Sequence, residues 1–138
     1  MPLGAFSLSL FLFWRYYSVM TTESKHSLTY LRFLNLVHAI KQIPTFPAMD
    51  PVEERLLAML GVNWHHGKKV SVLEAMGLST EISATTAHRR LKTLRKKGMI
   101  DLDTDKVDSR VKYVVPTALA EQYFVTLGQA IDKAHQSG

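Results

Sequence analysis

Ser83-Ala84-Thr85-Thr86-Ala87-His88-Arg89-Arg90-Leu91-Lys92-Thr93-Leu94-Arg95-Lys96-Lys97-Gly98 decides how the rest of the chain is read. Ser83 supplies an N-cap oxygen, and Ala84, Ala87, Leu91 and Leu94 recur at helical spacing as one narrow apolar stripe. The small residues at the start of the stripe allow close approach to a neighbour. Six of the chain's 17 Lys and Arg residues fall between positions 83 and 98, with no acid among them. Lys96-Lys97-Gly98 ends the helix with cations at its negative pole and a glycine for the left-handed position. Such a helix is made to face an anion. At about 100° per residue, the side opposite the stripe holds Thr85, Arg89, Thr93 and Lys96, with Thr86 and Lys92 at its margins and Arg89 at its middle.

Beyond the glycine, Met99-Ile100-Asp101-Leu102-Asp103 predicts a strand and positions 104–109 a polar tip. Arg110-Val111-Lys112-Tyr113-Val114-Val115 predicts a second strand, alternating, β-branched and aromatic as a half-buried strand is. Helix, glycine, strand, charged tip and strand make a recognition helix followed by a wing. Asp101 and Asp103 would repel phosphate, so the first wing strand is expected to stay off a polyanion.

Leu94-Arg95-Lys96-Lys97-Gly98-Met99-Ile100, then Asp105, Asp108-Ser109-Arg110 and Pro116-Thr117, resembles the core of the MarR-type (multiple-antibiotic-resistance) transcriptional regulators. The pattern there is roughly L-x-K-K-G-L-I, a wing with D-x-R, and L-T-x-x-G opening the next helix. The register from position 94 to 120 needs no gap. K-K-G alone is common, but its spacing to D-x-R and the following threonine is not. Pro116 and Ala120 depart from the pattern without removing a group that DNA binding would need. The resemblance implies a winged helix-turn-helix fold, mainly α with a small antiparallel β-wing. It also implies a homodimer built by the first and last helices, and an effector site between those helices and the DNA-binding lobe. Nothing in this sequence specifies a small-molecule effector.

Working outward, Ser71 with Glu74 three residues on caps a brief helix closed by Gly77, the first helix of the helix-turn-helix. The link over 78–82 is longer than the usual turn of about 3 to 4 residues. Val70 is placed to be a short strand pairing with the wing. Asp50-Pro51-Val52-Glu53 is a capping-box start for a helix that buries Val52, Leu56, Leu57, Met59, Leu60 and Trp64 and ends at Gly67. Leu28, Leu31, Leu34, Leu36, Val37 and Ile40 predict a first helix over 27–43, stopped by Pro44. Thr117 caps a final helix with Leu119, Tyr123, Phe124, Leu127, Ile131 and Ala134 on one side.

Residues 1–19 differ in composition from everything after them. They are read as a poorly structured or non-native extension ahead of Met20, the alternative being a membrane-associated or partner-binding segment, leaving 20–138 as the winged-helix domain with its dimerising terminal helices. The apolar part stops at Arg15, short of the ~20 residues a membrane-spanning helix needs. It lacks the basic start and small-residue cleavage site of a signal peptide.

The 138 residues allow one domain with a sizeable core. Lys plus Arg exceed Asp plus Glu by 17 to 12, a modest excess whose concentration on one helix makes it a patch. There is no cysteine, which removes disulfides, thiolate metal sites and a cysteine nucleophile and fits a reducing cytoplasm. His65 and His66 are adjacent, about 100° apart on a helix, so they do not form the i, i+4 pair of a helical zinc site. No nucleophile elbow, phosphate-cradling loop or paired carboxylates occur, so neither enzyme activity, a metal, a cofactor nor a membrane partner is expected.

The expected partner is double-stranded DNA. Thr85, Thr86, Arg89 and Arg90 would contact bases and phosphates from the first half of a major-groove helix, supported by Lys92, Thr93 and Lys96. Asp108 would hold Arg110 extended toward the minor groove, the two being side by side on an extended strand, with Lys106 and Lys112 on phosphates. The function that follows is a cytoplasmic transcriptional regulator, a repressor by promoter occlusion. Two other readings fit the same residues: a winged helix used for protein interaction or assembly, and a DNA-binding protein of replication or mobile-element maintenance.

Overall fold

The computed structural model describes residues 3–136. Five helices and three strands follow in the order α1 (Leu3–Lys41), α2 (Pro51–His65), β1 (Val70–Ser71), α3 (Val72–Met76), α4 (Ala84–Lys96), β2 (Ile100–Thr104), β3 (Lys112–Pro116) and α5 (Ala118–Gln136). They form two compact units, one from residues up to 40 with those from 127 onward, the other Lys41–Thr126.

The larger unit is the winged helix. Asp50 starts α2 with the full capping box: its Oδ1 accepts the Glu53 N–H at 2.8 Å, and Glu53 Oε1 accepts the Asp50 N–H at 3.2 Å. Ser71 caps α3 and Ser83 caps α4, each through the N–H three residues on. The three strands form an antiparallel sheet in the order β1-β3-β2, with Val114 opposite both Val70 and Leu102. The short strand at Val70 therefore does pair with the wing. Its core joins Leu56, Leu57 and Leu60 of α2, Ala87, Leu91 and Leu94 of α4, and Val70, Met99, Ile100 and Val114 around the sheet, all buried. Trp64 fixes α2 to the central strand by donating its indole N–H to the Val114 carbonyl at 2.9 Å. Thr117 caps α5 through the Ala120 N–H and donates its hydroxyl to the Gly98 carbonyl at 2.6 Å, tying the wing's start to its end.

The turn from α4 into β2 depends on Gly98, whose φ is +79°. Gly98 N–H bonds the Arg95 carbonyl and Met99 N–H the Leu94 carbonyl, both at 3.0 Å, a Schellman closure that sends Met99 into the core. A Cβ here would meet no atom within 4 Å, so the demand on glycine is purely conformational. Gly98→Ala is expected to destabilise the fold by about 1 to 2 kcal/mol, the cost of a left-handed L-residue. The check is a denaturant titration. An unchanged midpoint would contradict it.

In the smaller unit α1 departs from expectation. The predicted helix over 27–43 is instead one helix from Leu3 to Lys41, and positions 3–19, expected to be poorly structured, are its first half. No Pro or Gly lies between positions 5 and 43 to break it. The hydroxyls in its polar middle bond the preceding turn, Thr21 to the Tyr17 carbonyl at 2.7 Å and Thr22 to that of Ser18 at 3.0 Å. From Leu8 to Val19 the described side chains are exposed. Ile40, Ala130 and Ala134 are buried, whereas Leu28, Leu31, Leu34 and Ile131 remain exposed. Among the described residues no helix is long and apolar enough to cross a membrane.

Candidate nucleic-acid interface

α4 presents its charge asymmetrically. Ala87, Leu91 and Leu94 are buried as the stripe required, but Ala84 is exposed and lines a cleft of about 800 Å³ between α3, the start of α4 and the wing. Thr85, Arg89, Lys92 and Lys96 are exposed, at a spacing of one helix face. These four are the expected residues that the structure brings together on the free side.

Three expected contact residues lie elsewhere. Thr86 is half-buried, its N–H on the Ser83 cap oxygen and its own hydroxyl oxygen accepting from Ser83 at 2.9 Å. Arg90 turns toward α2, with Nη1 3.0 Å from Asp50 Oδ2 and a buried Nε that has no hydrogen-bond partner. Thr93 donates to the Arg90 carbonyl at 2.9 Å and lies 3.3 Å from Glu53 Oε2. The apolar stripe understated how much of α4 is covered, because the first turn of α2 adds a polar seat beside it. The free face therefore loses Thr93 from one edge and turns toward Lys92.

The wing also differs in detail. β3 begins at Lys112, so Arg110 and Val111 sit in the tip and not on a strand. The pairing of Asp108 with Arg110 arises from a turn instead, closed by Val111 N–H on the Asp108 carbonyl at 3.0 Å. Asp108 Oδ1 accepts both the backbone N–H and Nε–H of Arg110 at 3.1 Å, and Oδ2 accepts from Nη2 at 3.3 Å. The guanidinium is held by a two-point grip yet its side chain stays 89% exposed. Lys106 and Lys112 are exposed on either side of it.

Asp105 organises the tip, a role its position in the turn could have signalled, since an aspartate commonly accepts the backbone N–H groups that follow it. Its Oδ2 accepts the N–H groups of Val107 and Asp108, at 3.1 and 2.9 Å, and Tyr113 lies close enough to the same carboxylate to favour its charged form. The Asp108 N–H above all holds Asp105 below the ordinary aspartate range, and the Arg110 guanidinium does the same for Asp108. Both carboxyls are depressed in the folded chain, so their contribution to the wing is present above the unfolded value of about 4 and is lost as pH falls through the lower folded values. Carboxyl titration followed by NMR should place both midpoints below that of an unfolded-chain aspartate. Midpoints at the unfolded value would show that the grip is absent in solution.

Asp101 pairs with Arg95 at 3.5 Å, consistent with a first wing strand turned to its own helix. Among the described residues no group of three His, Asp or Glu side chains is placed to hold a metal ion.

No family model matches the chain, and no curated protein matches its sequence. Solved structures do share its fold. The transcriptional regulator Tm0710 from Thermotoga maritima aligns over 89% of this chain and 78% of its own at 13% identity, with a TM-score of 0.56. The heme sensor protein PefR from Streptococcus agalactiae, in complex with heme, aligns over 99% and 79% at 19% identity and 0.53. A mutant form of MepR from S. aureus aligns over 89% and 79% at 15% identity and 0.54. These neighbours are MarR-family transcriptional regulators, so the winged-helix fold implied by the motifs around Gly98 and Arg110 is the fold found.

Proposed function

We propose that this chain, folded as the MarR-family regulators are, is itself a transcriptional regulator that binds double-stranded DNA sequence-specifically as a homodimer and represses by occluding a promoter. The observation that carries the reading is the two-sidedness of α4, apolar and latched inward, with Thr85, Arg89, Lys92 and Lys96 outward beside a gripped Arg110. In this reading Thr85 and Arg89 meet base edges, Lys92, Lys96, Lys106 and Lys112 meet phosphates, and Arg110 enters the minor groove with Asp108 setting its direction. Arg90, Thr86 and Thr93 serve the seat of the helix. The exposed Leu28, Leu31 and Leu34 of α1 and Val125 and Ile131 of α5 support dimerisation through the terminal helices. Two recognition helices would then stand about one DNA turn, ~34 Å, or a multiple of it apart.

Selection of bound fragments from genomic DNA, followed by affinity at several salt concentrations and mass in solution, tests the reading. A preferred site with two half-sites, a steep fall of affinity with salt and a dimeric mass are expected. Binding that is absent or insensitive to salt would favour a protein-interaction module. Because the described side chains from Leu8 to Val19 are exposed, a chain starting at Met20 is expected to keep its melting temperature and its DNA affinity. A large loss of either would assign residues 1–19 to the working domain.

A further inference from the structure

Two carboxylates on the flank of α4, between its buried stripe and its free face, have no part in the proposed contacts. Glu53 is 2% exposed, and its oxygens receive Lys97 Nζ at 2.8 Å, the Asp50 N–H at 3.2 Å and the Thr93 hydroxyl at 3.3 Å. Asp50 receives Arg90, and Lys97 also donates to the Ala48 carbonyl at 2.7 Å. Positions 90, 93 and 97 follow one another along one side of α4 into its C-cap, so one capped turn of α2 holds the second half of that side.

Such an arrangement is a poor way to gain stability alone. A buried ion pair often does no better than apolar residues of the same size, and Arg90 leaves a buried Nε–H unsatisfied besides. Its distinctive property is direction. The apolar contacts of Ala87, Leu91 and Leu94 are non-directional and tolerate rotation of the helix about its axis, whereas an ion pair at Arg90 and hydrogen bonds at Thr93 and Lys97 do not. A rotation of α4 would carry Arg89 off its line and at the same time release two cations.

We propose that Asp50 and Glu53 are positioning residues that fix the rotation at which α4 presents Thr85 and Arg89, and that they withhold Arg90 and Lys97 from the phosphates, so that sequence preference is gained at the expense of non-specific affinity. The inference rests on α4 being the reading helix.

Asp50→Asn and Glu53→Gln test it in the full chain. Asparagine caps a helix as well as aspartate, and glutamine completes a capping box, so both variants keep the start of α2 while losing the charge. Affinity for the preferred site and for an unrelated duplex is measured across salt, with Glu121→Gln as a control for loss of an exposed acid. For both variants the ratio of specific to non-specific affinity should fall by about 3- to 10-fold. Affinity for the unrelated duplex should rise, with a salt slope steeper by about 0.9 for a released cation. Glu121→Gln should leave the ratio alone. A ratio unchanged in both variants, or an equal loss on both duplexes that tracks the unfolded fraction, would overturn the proposal. Amide exchange over residues 84–96 in the free protein gives a reading independent of DNA: faster exchange in both variants is expected, and unchanged protection would overturn the latch. If the wild type binds every duplex alike, the regulator reading fails, and amide exchange still decides the latch.

Discussion

Replacing Arg89 by alanine is expected to weaken binding to the preferred site by about 1 to 3 kcal/mol and to relax preference at one position of that site. Arg89 lies on the free face one helical turn after Thr85, exposed, and forms no ion pair among the described residues. The melting temperature should therefore stay put while affinity falls. Two companion variants separate the causes. Arg110→Ala removes the gripped wing cation and should act most on A·T-rich flanks, where the minor groove is narrow and negative, leaving the core preference alone. Lys96→Ala, at the helix end, should weaken all sequences alike and lower the salt slope. The measurement is affinity of all three on sites with altered cores and altered flanks. Equal loss by all three on every sequence would reduce α4 to a non-specific electrostatic surface.

The other side of the same helix should answer in stability. Leu94 is fully buried, its carbonyl accepts the Met99 N–H that closes the helix, and it sits where α4 turns into the sheet. Leu94→Ala is expected to cost about 2 to 5 kcal/mol, since the transfer energy of the side chain is lost and the seat around it relaxes only in part. Against a typical total of about 5 to 15 kcal/mol, that is a large fraction. A denaturant titration should show a lower midpoint with unchanged slope, and the folded fraction should keep its sequence preference. A midpoint equal to that of the wild type would mean that Leu94 is not the keystone its burial implies.

The helix starts were legible because each is a local event. Ser71, Ser83 and Asp50 cap their helices within three residues of chain, so their signals are complete in a short window. Gly98 was legible for a similar reason, a left-handed turn being a property of one residue and its neighbours. The start of α1 was misjudged because composition stood in for conformation. A change from polar to apolar residues does not end a helix when neither proline nor glycine intervenes.

A basic, capped helix with one apolar stripe, a glycine stop and a charged wing could all be read from the residues alone, because helical and strand periodicity act within a few positions. Which of the cations on that helix are free depends instead on the packed chain. Asp50 and Glu53 meet Arg90, Thr93 and Lys97 across some forty residues of chain, and no pattern local to either segment reports that encounter. The same holds for Asp105 and Tyr113, on either side of the wing tip, brought together by the register of β2 on β3. Ion pairs and hydrogen bonds depend on distances of about 3 Å between groups, and those distances exist only once the apolar faces have packed.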